Sequence, residues 1–234
     1  YRLQVCEQVA EDFTPVHSPE TSLHEWLAEN AAPGAVIGFD PWLHTVEQIE
    51  TLRTGLEGSG ISLVASSNGI DAIWTDRPAP PNAPAWAHPP HLCGDSAGEK
   101  TRRLGAAIAA HSAQTAVITL PDSLCWLLNL RGSDVPRTPI VHCFGLLSDN
   151  GALTLFGDEA KFADLTLPDT VTLAPWDAFS RHLKDLTGTV LIEPASLPQA
   201  AFDALTAGPA KILRGLDPCS LPKACKTATE LDGC

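Results

Sequence analysis

The sequence predicts an α/β fold arranged as two units, each a sheet with helical cover, and three observations carry that prediction. Short apolar runs of strand length alternate with stretches whose apolar residues recur at helical spacing. Serine capping boxes mark helix starts in both halves. A proline-rich stretch divides the halves. With 44% apolar and 18% charged residues among 234, the chain can bury one large core or two modest ones.

In the first half, Ser22-Leu23-His24-Glu25 is a capping box, in which each polar side chain satisfies an orphan backbone N–H, and Leu23, Trp26 and Leu27 supply the apolar stripe behind it. Residues 35–39 form an apolar run expected to be a buried strand. Val46, Ile49, Leu52 and Leu56 repeat at helical spacing over 45–57, Gly55, Gly58 and Gly60 close that helix, and 61–65 gives the next strand. Residues 77–90 carry Pro78, Pro80, Pro81, Pro84, Pro89 and Pro90 and can continue neither a helix nor a central strand, so they are expected to be an extended interdomain linker.

The second half opens on the capping box Ser96-Ala97-Gly98-Glu99, ahead of a helix whose Leu104, Ala107, Ile108 and His111 share one face. A strand follows at 116–120. The run Trp126-Leu127-Leu128-Asn129-Leu130-Arg131-Gly132-Ser133-Asp134-Val135-Pro136 is then an apolar ridge ended by Gly132, with Ser133 and Asp134 placed to bond free backbone N–H groups and Pro136 stopping the element. Residues 140–147 and 152–156 flank Ser148-Asp149-Asn150-Gly151, whose Asn-Gly favours the positive dihedral angles of a tight hairpin turn. The tail reads as strand (171–173), helix (176–186), strand (190–193), helix (200–205) and strand (211–213). A hairpin among helix-linked strands makes the sheet mixed.

Composition excludes several function classes. The formal charge is −13, and the basic residues are scattered except for Lys100-Thr101-Arg102-Arg103, so a nucleic-acid partner is not expected. No apolar run approaches eighteen residues, so no membrane span is expected. Seven cysteines, odd in number and irregularly spaced, suit reduced thiols and a cytoplasmic location. The chain opens on Tyr1, holds no methionine and shows no signal-peptide pattern, which fits an internal excerpt of a longer protein.

No metal centre or nucleophile is legible. His17, His24, His44, His88, His91, His111, His142 and His182 include no His-Glu-x-x-His, and the cysteines include no Cys-x-x-Cys. His88, His91 and Cys93 form one short arm without a partner arm. A Gly-x-Ser-x-Gly elbow is absent, and Gly55, Gly58 and Gly60 follow a helix where a phosphate loop would precede one.

The Trp126–Pro136 run resembles the middle-domain signature of the three-domain Xaa-Pro aminopeptidases, metallopeptidases of the pita-bread (creatinase, prolidase, methionine aminopeptidase) superfamily. Four further segments are similar to that family in the same order: Tyr1-Arg2-Leu3-Gln4-Val5 to the end of a first-domain strand, and Ile37-Gly38-Phe39-Asp40-Pro41-Trp42-Leu43-His44-Thr45 to the family's strand and Trp-His segment. Ile73-Trp74-Thr75-Asp76-Arg77-Pro78 follows, with His88-Pro89 and Gly94-Asp95-Ser96-Ala97-Gly98-Glu99-Lys100. The last is Leu221-Pro222-Lys223-Ala224-Cys225-Lys226 with Glu230-Leu231-Asp232-Gly233, similar to the entry into the catalytic domain.

The resemblance implies two creatinase-N-terminal-like units with mixed sheets flanked by helices. Residues 1–87 would be the C-terminal part of the first, itself incomplete, 88–95 a linker, 96–217 the second, and 218–234 the connection to a catalytic domain. It implies that the metal ligands for manganese, cobalt or zinc lie beyond Cys234, so the fragment itself holds no cofactor and no catalytic residue. The implied partners are the protein's own catalytic domain, a second copy in a homodimer, and, for the parent enzyme, peptides with proline at the second position. An N-terminal binding or assembly domain of a creatinase or prolidase type is the alternative.

Arg131 and Asp134 carry two open readings. They are either a turn brace, or, as the resemblance implies, groups on a wall facing the substrate pocket, with Asn129 and Trp126 shaping or supporting that wall. Asp40, Pro41, Trp42 and His44 follow a strand, where α/β units place binding residues, but Trp42 and His44 are expected to dock the following helix. Arg137-Thr138-Pro139 departs from the family's usual His-Asn-Pro or His-Thr-Pro, so no role is carried onto Arg137.

Overall fold

The computed structural model describes residues 2–233. The first half holds helices α1 (Arg2–Gln8), α2 (Leu23–Asn30), α3 (Val46–Gly55) and α4 (Gly69–Ile73) and strands β1 (Val36–Phe39) and β2 (Ser62–Ala65), which pair in parallel. Both anticipated helices start on capping boxes, at Ser22 with Glu25 and at Thr45 with Gln48. Three expectations change. Residues 2–5 are helical where a strand end was expected, because a segment with no strand beside it satisfies its backbone within its own turns. Of the α2 stripe only Leu27 is buried, while Leu23 and Trp26 are exposed. Val36 is 65% exposed and Val64 49%, so β1 and β2 are only part-covered, as a two-stranded sheet with no further strand on either side must be.

The second half contains β3 (Trp86–Ala87), α5 (Pro90–Cys93), α6 (Ala97–Ala110), β4 (Thr115–Ile118), α7 (Pro121–Leu128), β5 (Leu130–Arg131), β6 (Phe144–Ser148) and β7 (Leu153–Phe156). It continues through β8 (Val171–Ala174), α8 (Phe179–Asp185), β9 (Thr189–Ile192), α9 (Gln199–Thr206), β10 (Lys211–Arg214), α10 (Ser220–Ala224) and α11 (Ala228–Asp232). Six strands form one mixed sheet in the order β10-β9-β4-β6-β7-β8, with β6 antiparallel to both β4 and β7 and the other neighbours parallel.

The period of two in each strand divides the core. Ala116, Ile118, Leu147, Leu153 and Leu155 point to the face covered by Leu104 and Ile108 of α6 and by Leu124, Leu127 and Leu128 of α7. Val117, Leu146, Phe156, Val190 and Ile192 point to the opposite face, under Phe179 and Leu183 of α8 and Ala201 and Leu205 of α9. On α6, His111 is exposed and caps the helix, its Nδ1 lying 2.8 Å from the Ala107 carbonyl oxygen. Lys100 and Gly105 take the places on the buried face.

The later part of the proline-rich stretch packs against the second half. Ala85 is buried in the second-half core, its N–H donates to the Lys161 carbonyl at 2.8 Å, and β3 pairs antiparallel with β5. The two halves also meet through two helix N-termini. In the first turn of α3, the N–H groups of Val46 and Glu47 donate to the Leu197 and Pro194 carbonyls, each at 3.0 Å. In the first turn of α9, Gln199 and Ala200 donate to His44 and Pro41, at 2.8 and 2.9 Å. Each helix start thus finds acceptors for its orphan donors in the loop leading into the other.

Helix α6 rests backbone-to-backbone on the β6–β7 hairpin turn. Gly151 adopts φ +86°, while Asn150 accepts from the Ala152 N–H through its side chain at 2.9 Å, so only the glycine is left-handed. A Cβ on Gly105 would stand 2.6 Å from Gly151 N and 2.8 Å from Asp149 O, both backbone atoms. Gly105→Ala is therefore expected to cost ~1–3 kcal/mol, read as a lowered denaturant midpoint with unchanged m-value.

Asp134 lies inside this unit, 5% exposed, its Oδ2 accepting from Lys161 Nζ at 2.6 Å and from the His142 N–H at 2.7 Å. Removing the carboxylate strands a buried ammonium, so Asp134→Ala should destabilise the chain by ~3–5 kcal/mol. Asp134→Leu combined with Lys161→Met should recover much of that loss in a thermal melt.

Candidate functional site

The site grows from the end of α7. Pro121 starts this helix, at a position where its missing N–H is no loss, and Leu124, Leu127 and Leu128 anchor it to the sheet. It ends at Asn129 in the left-handed region, φ 53° and ψ 45°, three residues before the expected Gly132. Asparagine tolerates that geometry, and its amide then bridges two segments. Asn129 Nδ2 donates to the Asp95 carbonyl at 3.0 Å, and its Oδ1 accepts from Lys100 Nζ at 2.7 Å. The Asn129 carbonyl accepts from the His88 N–H at 2.7 Å. Gly132 has another task, since a Cβ there would stand 2.8 Å from the Ile140 carbonyl oxygen.

Lys100 is 2% exposed, and its ammonium donates to the Trp126 carbonyl at 2.9 Å and lies 4.5 Å from the Trp126 ring centroid. Burial lowers its pKa, against the raising influence of Cys93, Glu230 and Asp95. A carbonyl, an amide oxygen and an aromatic face together take the place of water around this charge. Beside it, Arg131 of β5 donates from Nη1 to the Leu130 carbonyl at 2.7 Å. Helices α10 and α11 close the far side: Lys223 pairs with Asp122 on α7, and α11 begins on a capping box formed by Thr227 and Glu230.

Between these elements lies a crevice of about 320 Å³, into which Lys100, Trp126, Asn129, Arg131, Lys226 and Glu230 face. Its lining carries three cationic side chains and one carboxylate, and three groups respond to those charges. His88 is held below the usual imidazole range by burial and by the Arg131 and Lys100 charges. Burial raises the Cys93 thiol, while the same two cations oppose that rise. Burial also acts to raise Glu230, but hydrogen bonds from Thr227, together with Lys226 and Lys100, hold it below the ordinary carboxylate range.

Of the four residues singled out from the sequence, Trp126, Asn129 and Arg131 line this crevice and Asp134 does not. The Arg131–Asp134 brace is not formed, because Asp134 is buried against Lys161. Lys100 is the residue that sequence reasoning misses. It belongs to a basic cluster, yet it stands four residues before Leu104 and eight before Ile108, in register with the buried stripe. That spacing is the available signal.

The strand-exit residues of the first half behave more locally. Asp40 accepts from the Trp42 N–H at 2.8 Å and from Asn68 Nδ2 at 3.0 Å, and the His44 ring meets Phe39 edge-on. Trp42 is 46% exposed. Among the described residues no three His, Cys, Asp or Glu side chains converge, and the cation-rich crevice does not fit a divalent metal ion. No described helix is long and apolar enough to cross a membrane.

Residues 76–230 match the family model of the Creatinase/Prolidase N-terminal domain. A probable Xaa-Pro aminopeptidase P of Coccidioides posadasii (strain C735) is 32% identical over 226 residues, covering 89% of this chain and 34% of that protein. Aminopeptidase P1 of Arabidopsis thaliana is 27% identical over 267 residues, covering 100% of this chain and 41% of that protein. The X-prolyl aminopeptidase of Caenorhabditis elegans, a cytosolic enzyme with a di-nuclear active site, superposes with a TM-score of 0.77 at 23% identity, over 97% of this chain and 37% of that one, which establishes a shared fold. The chain thus spans well under half the length of these relatives. It belongs to the creatinase/prolidase N-terminal domain family and corresponds to the N-terminal region of the Xaa-Pro aminopeptidases.

Proposed function

We propose that this chain is the non-catalytic N-terminal portion of an Xaa-Pro aminopeptidase, in which it shapes substrate access and contributes to dimer assembly. The parent enzyme would release the N-terminal residue preceding proline by metal-dependent hydrolysis in the cytoplasm, with manganese, cobalt or zinc held by a catalytic domain outside residues 1–234. The observation that carries this reading is the placement of Arg131: a guanidinium on a short strand, at the rim of a crevice closed by the chain's final helices. Such a group can hold a peptide carbonyl or carboxylate in a fixed direction. The residues of this chain would bind and orient, while a bound metal ion would supply an activated water elsewhere in the parent.

Two measurements test the reading. The chain alone, incubated with an Xaa-Pro peptide and manganese, cobalt or zinc, is expected to release no free amino acid, and turnover would defeat the division of labour proposed. In the full-length parent, Arg131→Ala should lower kcat/KM by about 10- to 150-fold, equivalent to ~1.5–3 kcal/mol for one buried charge-assisted hydrogen bond, with metal content and melting temperature retained. Asp134→Ala should do the opposite, lowering the melting temperature while activity per folded molecule survives. Unchanged kcat/KM in Arg131→Ala would remove the substrate-handling role.

A further inference from the structure

We propose that Cys93 and Cys225 are a reversible redox pair, closed by a peroxide into a disulfide that ties α5 to the α10–α11 segment. The two residues are distant in sequence, yet both line one cavity of about 240 Å³. Their flanks are in contact. Gly94 follows α5 with φ +72°, and a Cβ there would stand 2.5 Å from Thr227 Oγ1 and 3.0 Å from Thr227 Cβ. Only glycine admits so close an approach. It sets the residue after Cys93 against the cap of α11, two positions past Cys225. Closing the bond needs Cα atoms about 4.4–6.8 Å apart, and both partners sit on short elements: Cys93 on the four residues of α5, Cys225 in the link between α10 and α11. The other described thiols are placed differently. Cys125, Cys143 and Cys219 are buried in the core, and Cys6 lines a separate cavity beside Val16 and His17.

The two thiols differ in a way that orders the chemistry. Cys225 is exposed at the end of α10, where its N–H donates to the Leu221 carbonyl at 3.1 Å, so a small oxidant can reach its sulfur. Cys93 is 4% exposed, and its S–H donates to the Pro89 carbonyl at 3.2 Å. Burial raises its pKa against the opposing charges of Lys100 and Arg131, so it holds its proton. A buried, protonated thiol is a poor first target and serves as the resolving partner. In the first step the Cys225 thiol and hydrogen peroxide give the sulfenic acid and one water. In the second, the Cys93 sulfur attacks the sulfenic sulfur, the S–S bond forms, and the Cys93 proton leaves with the sulfenic hydroxyl as a second water. A dithiol reductant returns both thiols and is itself oxidised to a disulfide. A reducing compartment keeps such a pair open at rest, and pairs of this kind there act transiently. Lys223 already ties α10 to Asp122 on α7, so the disulfide adds a second tether on the same segment. In the parent enzyme proposed above, that tether would stiffen the stretch leading toward the catalytic domain.

The test treats the 234-residue chain with a slight excess of hydrogen peroxide, blocks the remaining thiols with N-ethylmaleimide, and maps the unreduced peptides by mass. The expected product is a single chain lighter by two hydrogens, with Cys93 and Cys225 joined in one peptide pair, and dithiothreitol restores both thiols. Cys93→Ser should trap the sulfenic acid, so that dimedone labels Cys225; in Cys225→Ser, dimedone should leave Cys93 unlabelled. Both variants should lose the cross-link, while Cys6→Ser and Cys234→Ser keep it. Near-ultraviolet circular dichroism checks the fold of Cys93→Ser, and Cys225→Ser, at an exposed position, carries the comparison if the buried site rejects the hydroxyl. The proposal is overturned by the absence of the Cys93–Cys225 peptide, by a cross-link through Cys6, Cys234 or the Cys125–Cys143 pair in its place, or by a bond between two chains. Because the mapping needs no peptidase activity, it stands or falls independently of the function proposed for Arg131.

Discussion

Strand β4 imposes the constraint on which the rest of the structure depends. All four of its residues are buried, with Ala116 and Ile118 on one face and Val117 on the other, so both faces of the sheet need covering. The chain leaves β4 through Thr119 and Leu120 and enters α7 at once, which lays that helix over the Ala116–Ile118 face. Everything at the crevice follows from where α7 stops. Packing of Leu124, Leu127 and Leu128 sets the helix's position and hence the point at which Asn129 turns left-handed and releases β5 toward β3.

The buried ammonium of Lys100 makes that turn rigid. A lysine inside a protein costs several kcal/mol unless its donors are satisfied, and here the acceptors are the Trp126 carbonyl and the Asn129 amide, the groups that define the end of α7. The charge can be buried only if the helix ends where it does, and the helix end is held there by the charge. The Lys161–Asp134 pair performs a similar service on the following segment, fixing the return toward β6 through the His142 N–H. One buried cation thus lines a crevice, and the other is paired with a carboxylate inside the core.

The two halves are joined by reciprocity more than by area. Helices α3 and α9 each begin with donors that their own turns cannot use, and each finds carbonyls in the other's entry loop, while Val46 inserts into the core under α9. The Glu50–Arg214 ion pair, half-exposed on both sides, adds little to that joint. Such a connection fixes orientation strongly because hydrogen bonds are directional, and it holds the part-covered β1–β2 sheet at a set angle to the crevice-bearing unit.

Local sequence was sufficient for the elements themselves. Capping boxes at Ser22 and Ser96, the short apolar runs of β4, β6 and β9, and the Asn150-Gly151 turn each encode their structure within a few residues, because helix capping, strand formation and turn geometry are short-range properties. The family signature likewise marked Trp126, Asn129 and Arg131. Which charges meet was decided only by tertiary structure. Asp134 stands three residues from Arg131 yet pairs with Lys161, twenty-seven residues away, and Lys100 reaches Asn129 across twenty-nine. Ion pairs and buried donors are settled by whichever partners the packed core brings within 3 Å of one another, and sequence separation carries almost no information about that.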